Sequence, residues 1–122
     1  MMVTPDQLIA HAVGDYILQS DWMANHKTKE SVAAVIHAAT YSLPFLLFHP
    51  SVAAFAVILG THFIIDRFRL ARFVTWIKNG PWHPRTATGY PESTPPFLAV
   101  WLLIIVDNIM HIIVNGAALK WL

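Results

Sequence analysis

The sequence predicts an all-α integral membrane protein, a four-helix bundle forming a single domain over residues 1–122. Three observations carry this reading. Apolar residues make up 56% of the chain and charged residues only 12%, and the mean hydropathy is +0.50, well above an ordinary soluble domain. From Ser31 to Ile65 there is no Asp, Glu, Lys or Arg, and from Phe97 to Leu119 the one formal charge is Asp107. Finally, three of the four apolar segments pair a His with an Asp four residues away, and the order of the pair reverses with helix direction.

The first segment, about 4–23, opens on Thr4-Pro5-Asp6: a capping hydroxyl, a proline at the first helical position and an acid in the first turn. Asp6 stands where a signal peptide carries basic residues, so the N-terminus is expected to stay. Pro50 divides the charge-free stretch into helices at 31–49 and 51–68, each close to the roughly 20 residues that cross a bilayer. Arg67, Arg69, Leu70, Arg72, Phe73, Trp76, Ile77 and Lys78 mix basic and apolar side chains, as an interfacial amphipathic helix over about 69–79 would. Five prolines between 80 and 96 predict an irregular loop, read as a lid over a site entrance. A last spanning helix covers 97–119.

Seven Lys and Arg (27, 29, 67, 69, 72, 78, 85) gather on one side of this arrangement and Lys120 alone on the other. The positive-inside rule then makes the crowded side cytoplasmic and both termini non-cytoplasmic, with Trp22, Trp76 and Trp82 at the inner interface and Trp121 at the outer one. A net charge of +1 excludes a phosphate-tracking nucleic-acid surface. The absence of cysteine excludes disulfides and thiolate chemistry.

Ionisable groups inside spanning helices are costly and ask for a partner or a function. Here they are His11, Asp15, His37, His62, Asp66, Asp107 and His111. His11-x3-Asp15 and His62-x3-Asp66 lie on helices running one way, and Asp107-x3-His111 lies on a helix running the other way. All three Asp therefore share one layer and the three paired His a layer one turn deeper, with His37 joining the Asp layer. A divalent metal, one or two of Zn, Mn or Fe, resolves such a cluster, since His nitrogen and Asp oxygen suit these ions. Two ions with a hydroxide would balance the three carboxylates. His11, Asp15, His62, Asp66, Asp107 and His111 are the expected metal ligands, and His37 a ligand or catalytic base. Arg67 and Arg69 are candidates for binding an anionic headgroup, and Gln19 and Asn108 for orienting the ligands. Gly14 and Gly60 read as sites of close helix packing. Tyr16, Thr40 and Tyr41 read as core. The small pairs Ala33-Ala34, Ala38-Ala39 and Ala53-Ala54 read as a contact for a homo-oligomer.

The run His11-Ala-Val-Gly-Asp15-Tyr-Ile-Leu-Gln19-Ser-Asp-Trp22-Met-Ala24-x-x-Lys27, followed by His37, His62-Phe-Ile-Ile-Asp66 and Asp107-Asn-Ile-Met-His111, resembles a domain-of-unknown-function family of small membrane proteins in bacteria and phages. Asn108 replaces the glutamine of that family's last block. More loosely the pattern is similar to inner-membrane metal-dependent hydrolases. The resemblance supplies no reaction and implies a bacterial inner membrane as the location and a phage or prophage origin. Together with the residues it leads to the expectation of a metal-dependent membrane hydrolase acting on a lipid or lipid-linked substrate, with membrane lipids as partners. The alternative is a non-enzymatic phage membrane factor that alters the host envelope or excludes a second infection, its cluster holding a structural metal. A proton or ion conduit ranks third, since below His111 only Asn115 continues a polar path.

Overall fold

The computed structural model describes residues 2–122, and among them it is all-helical: α1 (Pro5–Ala12), α2 (Asp21–His26), α3 (Ser31–Ser42), α4 (Val52–Arg67), α5 (Ala71–Lys78) and α6 (Pro96–Trp121). Two stretches are long and apolar enough to cross a membrane, Ser31–Phe48 and Pro96–Trp121. The expected four spans are thus two by length. The 16 residues of α4 reach only about 24 Å at 1.5 Å per residue, short of a hydrocarbon core of roughly 30 Å.

The first segment departs most from expectation. Thr4 caps α1 as the sequence predicts, and Gln7 completes a capping box by accepting from the Thr4 N–H. The helix then widens into a π-helical turn at Val13–Ile17 and stops, because Ser20 caps a separate short helix by accepting from the Met23 N–H. A continuous helix over 4–23 is replaced by three pieces.

Helix α3 continues through Pro44 as a 3-10 turn, Leu43–Phe48. Proline has no N–H for the α-helical ladder, and the tighter turn follows. His49 takes a left-handed backbone (φ 49), Pro50 follows, and Ser51 caps α4. This reversal makes α3 and α4 an antiparallel hairpin. Ser51 also donates to the Leu122 carbonyl (2.9 Å), so α4 starts where α6 ends and the two run antiparallel. Hydroxyls inside the apolar helices are satisfied locally: Ser42 donates to the Ala38 carbonyl, and Thr61 to that of Val57.

Small residues let the backbones approach. Ala33, Ala34 and Ala38 of α3 and Ala54 of α4 are buried, so most of the alanines read as a contact between copies are used within the chain. Toward the termini the bundle closes on Ala10, Tyr41, Phe45, Ala54, Ile58 and Ala118. The other buried positions are strikingly unlike a soluble core, since they include His11, Asp15, His37, His62, Asp66, His111 and Asn115. Large apolar side chains face outward, among them Leu47, Val52, Phe97 and Trp101.

Helix α5 packs beside α6 and carries the irregular segment on its back. Thr75 donates to the Thr88 carbonyl, Trp76 Nε1 to that of His83, and Arg69 to that of Ala87. Gly89 (φ 80) lies against Thr75 and the Arg72 carbonyl, where a Cβ has no room. The loop is therefore fastened to α5.

Candidate metal centre

Each helix delivers its polar residues to one level. Helix α4 brings His62 and Asp66, one turn apart, to its C-terminal end. Helix α3 brings His37, the π-helical turn Asp15, and the middle of α6 Asp107 and His111. π-Helical turns inside helices are frequent at functional sites.

Four atoms converge: Asp15 Oδ1, His37 Nε2, His62 Nε2 and Asp66 Oδ2. His37 Nε2 lies 2.9 Å from His62 Nε2 and 3.2 Å from both Asp15 Oδ1 and Asp66 Oδ2. His62 Nε2 lies 3.4 Å from Asp15 Oδ1 and 3.2 Å from Asp66 Oδ2. A tetrahedral ion with bonds of 2.0–2.1 Å separates its ligands by about 3.3 Å. The four nitrogen–oxygen spacings fit that figure, and the nitrogen–nitrogen one is shorter. Asp15 Oδ1 has no hydrogen-bond partner despite two imidazole nitrogens nearby, as when lone pairs aim at a shared centre and not at one another. All four residues are buried, and the quartet can hold a metal ion.

A second group, Asp15, Asp107 and His111, adjoins the first. His111 Nε2 lies 3.0 Å from Asp66 Oδ1 and 3.5 Å from Asp107 Oδ2. Asp66 thus offers one oxygen to each group. His11 stands beside this centre. Its Nδ1 is 2.7 Å from the Tyr41 hydroxyl, its Nε2 is 2.8 Å from Asn108 Oδ1, and Asp15 Oδ2 is 3.7 Å away. With both ring nitrogens engaged, the structure gives His11 a supporting place where the sequence predicts a ligand. His37, considered as a catalytic base, has its Nε2 within the quartet.

Two residues that the sequence reading set aside belong here. Tyr41, read as core, accepts from Asn115 Nδ2 (2.6 Å), contacts His11 and stacks on His62 with ring centroids 3.5 Å apart. Lys27, read as an interfacial charge, places Nζ 2.8 Å from Asp66 Oδ2. Burial acts to lower the Lys27 pKa, but the Asp66 carboxylate, with Asp15 and Asp107 behind it, outweighs burial and holds the pKa above its ordinary value. Three helix-borne carboxylates without a helix-borne cation are the signal that could have identified it. With neutral imidazoles, three carboxylates and one ammonium sum to −2, which one divalent cation would balance.

The remaining candidates separate. Asn108 accepts from His11 and bonds to the Tyr16 hydroxyl. Gln19 Oε1 is buried without a partner and orients no ligand. Arg67 is occupied with the α2–α3 connection, donating to the Thr28 carbonyl (3.0 Å) and Ser31 Oγ (3.3 Å). Arg69, in a left-handed backbone (φ 52), lines a cavity of about 230 Å³ that reaches Asp66. Lys27, Arg72 and Asp107 share its polar side, and Ile65, Leu103 and Ile104 form an apolar wall. No residue of 80–96 lines it, so the segment read as a lid over the entrance is a brace on α5. Gly60 has nothing within 4 Å of an added Cβ, whereas Gly14 lies directly against Tyr41; of the two glycines, only Gly14 marks close packing.

Fold and site together define a helical protein with membrane-compatible spans around a buried His/Asp cluster that can hold a metal ion. The chain belongs to the family described as Protein of unknown function (DUF3307), whose model matches residues 3–120. No curated protein matches the chain, and neither does any solved structure.

Proposed function

We propose that this protein is a metal-dependent hydrolase embedded in a bacterial inner membrane and acting on a lipid or lipid-linked substrate. The observation that carries the reading is the buried His/Asp quartet beside a half-open cavity that reaches Asp66 and is lined in part by Ile65, Leu103 and Ile104. Membrane residence is supported by the apolar exterior and by α6 itself. Its exposed Trp101 and Trp121 are separated by about 20 residues, roughly 30 Å of helix, the thickness of the hydrocarbon core.

Asp15, His37, His62 and Asp66 hold the ion. A divalent cation supplies Lewis acidity, polarising the scissile group and making water nucleophilic near neutral pH. The chain supplies the rest. Asp107, on the cavity wall, takes a proton from the attacking water as its oxygen bonds to phosphorus or acyl carbon, and His111, whose Nε2 faces Asp66 and Asp107, holds both carboxylates in place. The ester bond to the leaving group then breaks, and the departing oxygen receives that proton. Lys27 holds Asp66 in place. Four protein ligands saturate tetrahedral zinc, whereas six-coordinate Mn or Fe retains open positions for water and substrate.

That saturation favours a second reading, in which the ion pins the helices together in a non-enzymatic membrane protein. A conduit is disfavoured, because the polar path ends at Asn115 and the bundle closes below it on Phe45, Ile58 and Ala118. The test is hydrolysis of phospholipids and lipid-linked pyrophosphates by metal-loaded wild type beside the His111→Ala variant. Turnover lost in the variant with the ion retained supports the enzyme. A bound ion with no turnover over this panel supports the structural reading.

A further inference from the structure

We propose that the cavity beside Asp66 is a binding site for the phosphomonoester headgroup of a lipid, with Arg69 and Arg72 as its anion ligands. As the substrate of the centre, this lipid rests on the hydrolase reading; as a ligand, it stands on the cavity alone.

The charges carry the assignment. Neither Arg69 nor Arg72 has a carboxylate within ion-pair distance among the described residues, although both line a half-open cavity that Asp66 and Asp107 also reach. Arg72 makes no side-chain hydrogen bond among the described residues, its buried Nε included, so its guanidinium is committed to no protein acceptor, and an unpaired cation on a cavity wall is a group that an anion satisfies. Arg69 is brought to the cavity by a left-handed backbone that non-glycine residues rarely adopt, and the Ala87 carbonyl occupies Nη2, leaving its other N–H groups free to donate. Lys27, Arg69 and Arg72 set three cations against Asp66 and Asp107, the two carboxylates that line the cavity, so its wall is net positive without any bound ion. A phosphomonoester carries about −1.5 to −2 near neutral pH, and Arg forks match phosphate oxygens in pairs.

The apolar wall distinguishes a lipid from a free anion. Leu103 and Ile104 of α6 line the same cavity, and Ile104 is 38% exposed, so a chain leaving the cavity beside Ile104 continues along the apolar surface of α6. The volume of about 230 Å³ is below the roughly 300–1,000 Å³ of pockets that enclose a whole drug-sized ligand. It suits a headgroup whose chains stay outside.

The test is native mass spectrometry of detergent-purified protein with dioleoyl phosphatidic acid, dioleoylglycerol or inorganic phosphate, with metal content measured on the same samples. Wild type is expected to retain phosphatidic acid over dioleoylglycerol by roughly tenfold or more, the scale of a charge-assisted hydrogen bond. Arg72→Gln and Arg69→Gln each lose that preference with metal content unchanged, and Arg72→Lys restores part of it. Equal retention of the two lipids, or an unchanged preference in both Gln variants, overturns the proposal. So does inorganic phosphate that displaces the lipid at equal concentration, since the apolar wall then contributes nothing. A metal-free wild type that still prefers phosphatidic acid through these arginines supports the headgroup site and removes the hydrolase.

Discussion

The Nε2 atoms of His37 and His62 stand 2.9 Å apart, and each lies 3.2 Å from the same oxygen, Oδ2 of Asp66. Two neutral imidazoles presenting these nitrogens to each other and to two carboxylates cannot satisfy every lone pair by hydrogen bonding. Asp15 Oδ1 is left without a partner. A cation at the common centre gives all four atoms a partner at once, which is why the arrangement reads as a coordination sphere and not as a chain of hydrogen bonds.

Close packing around this sphere is tested at two glycines. A Cβ at Gly14 would lie 2.6 Å from the Tyr41 ring and 2.7 Å from its carbonyl, while one at Gly60 meets nothing. Gly14→Ala should destabilise by about 1–3 kcal/mol through overpacking. Gly60→Ala should gain about 0.5–1 kcal/mol as a helix-interior replacement. Thermal unfolding in detergent reads both, and equal effects would contradict the packing described.

Tyr41→Phe keeps the ring stacked on His62 but strands Asn115 Nδ2 and His11 Nδ1. Leaving buried polar groups unpaired costs about 1–3 kcal/mol, so the melting temperature should fall. The bound ion should remain, because Tyr41 lies outside the quartet. Loss of the ion would place Tyr41 among the ligands.

The Lys27–Asp66 pair makes a pH prediction with a definite sign. The folded Lys27 pKa is raised above 10.5, with burial opposing and Asp66 prevailing. The stability it contributes is therefore full below the unfolded value of 10.5 and lost as pH rises through the higher folded value. Chelator-treated wild type should lose stability above about pH 10.5, and Lys27→Met should lack that component. Parallel curves would mean that the ammonium does not stabilise the fold.

Membrane orientation is open to single-cysteine labelling, since the natural chain has no background thiol. The orientation expected from the Lys and Arg distribution predicts that Lys120→Cys reacts with an impermeant maleimide on intact cells, and Lys29→Cys only after permeabilisation. The reverse pattern would invert the topology.

Much of this was legible in the sequence because it depends on spacing alone. The apolar run 97–119 is α6, and Thr4-Pro5 caps α1. The reversed His/Asp order points at residues that the structure draws to one level. What escaped depends on tertiary competition. Ser20 caps a new helix and breaks the first segment. Tyr41 and Asn108 capture His11. Lys27 reaches back from a connection where composition reads only as a surface charge. Arg67 and Arg69 are near neighbours in sequence, yet the left-handed turn at Arg69 sends one to a cavity and leaves the other bound to the α2–α3 connection. No periodicity encodes that difference.

Elemental analysis of protein purified without chelators, beside His62→Ala and Asp66→Ala, tests the coordination sphere most directly. Near-stoichiometric Zn, Mn or Fe in wild type, about one ion per chain by the charge balance at Lys27, should fall sharply in both variants. A folded wild type that holds no metal, even after reconstitution with each ion, would contradict the centre and leave a polar network joining the helices.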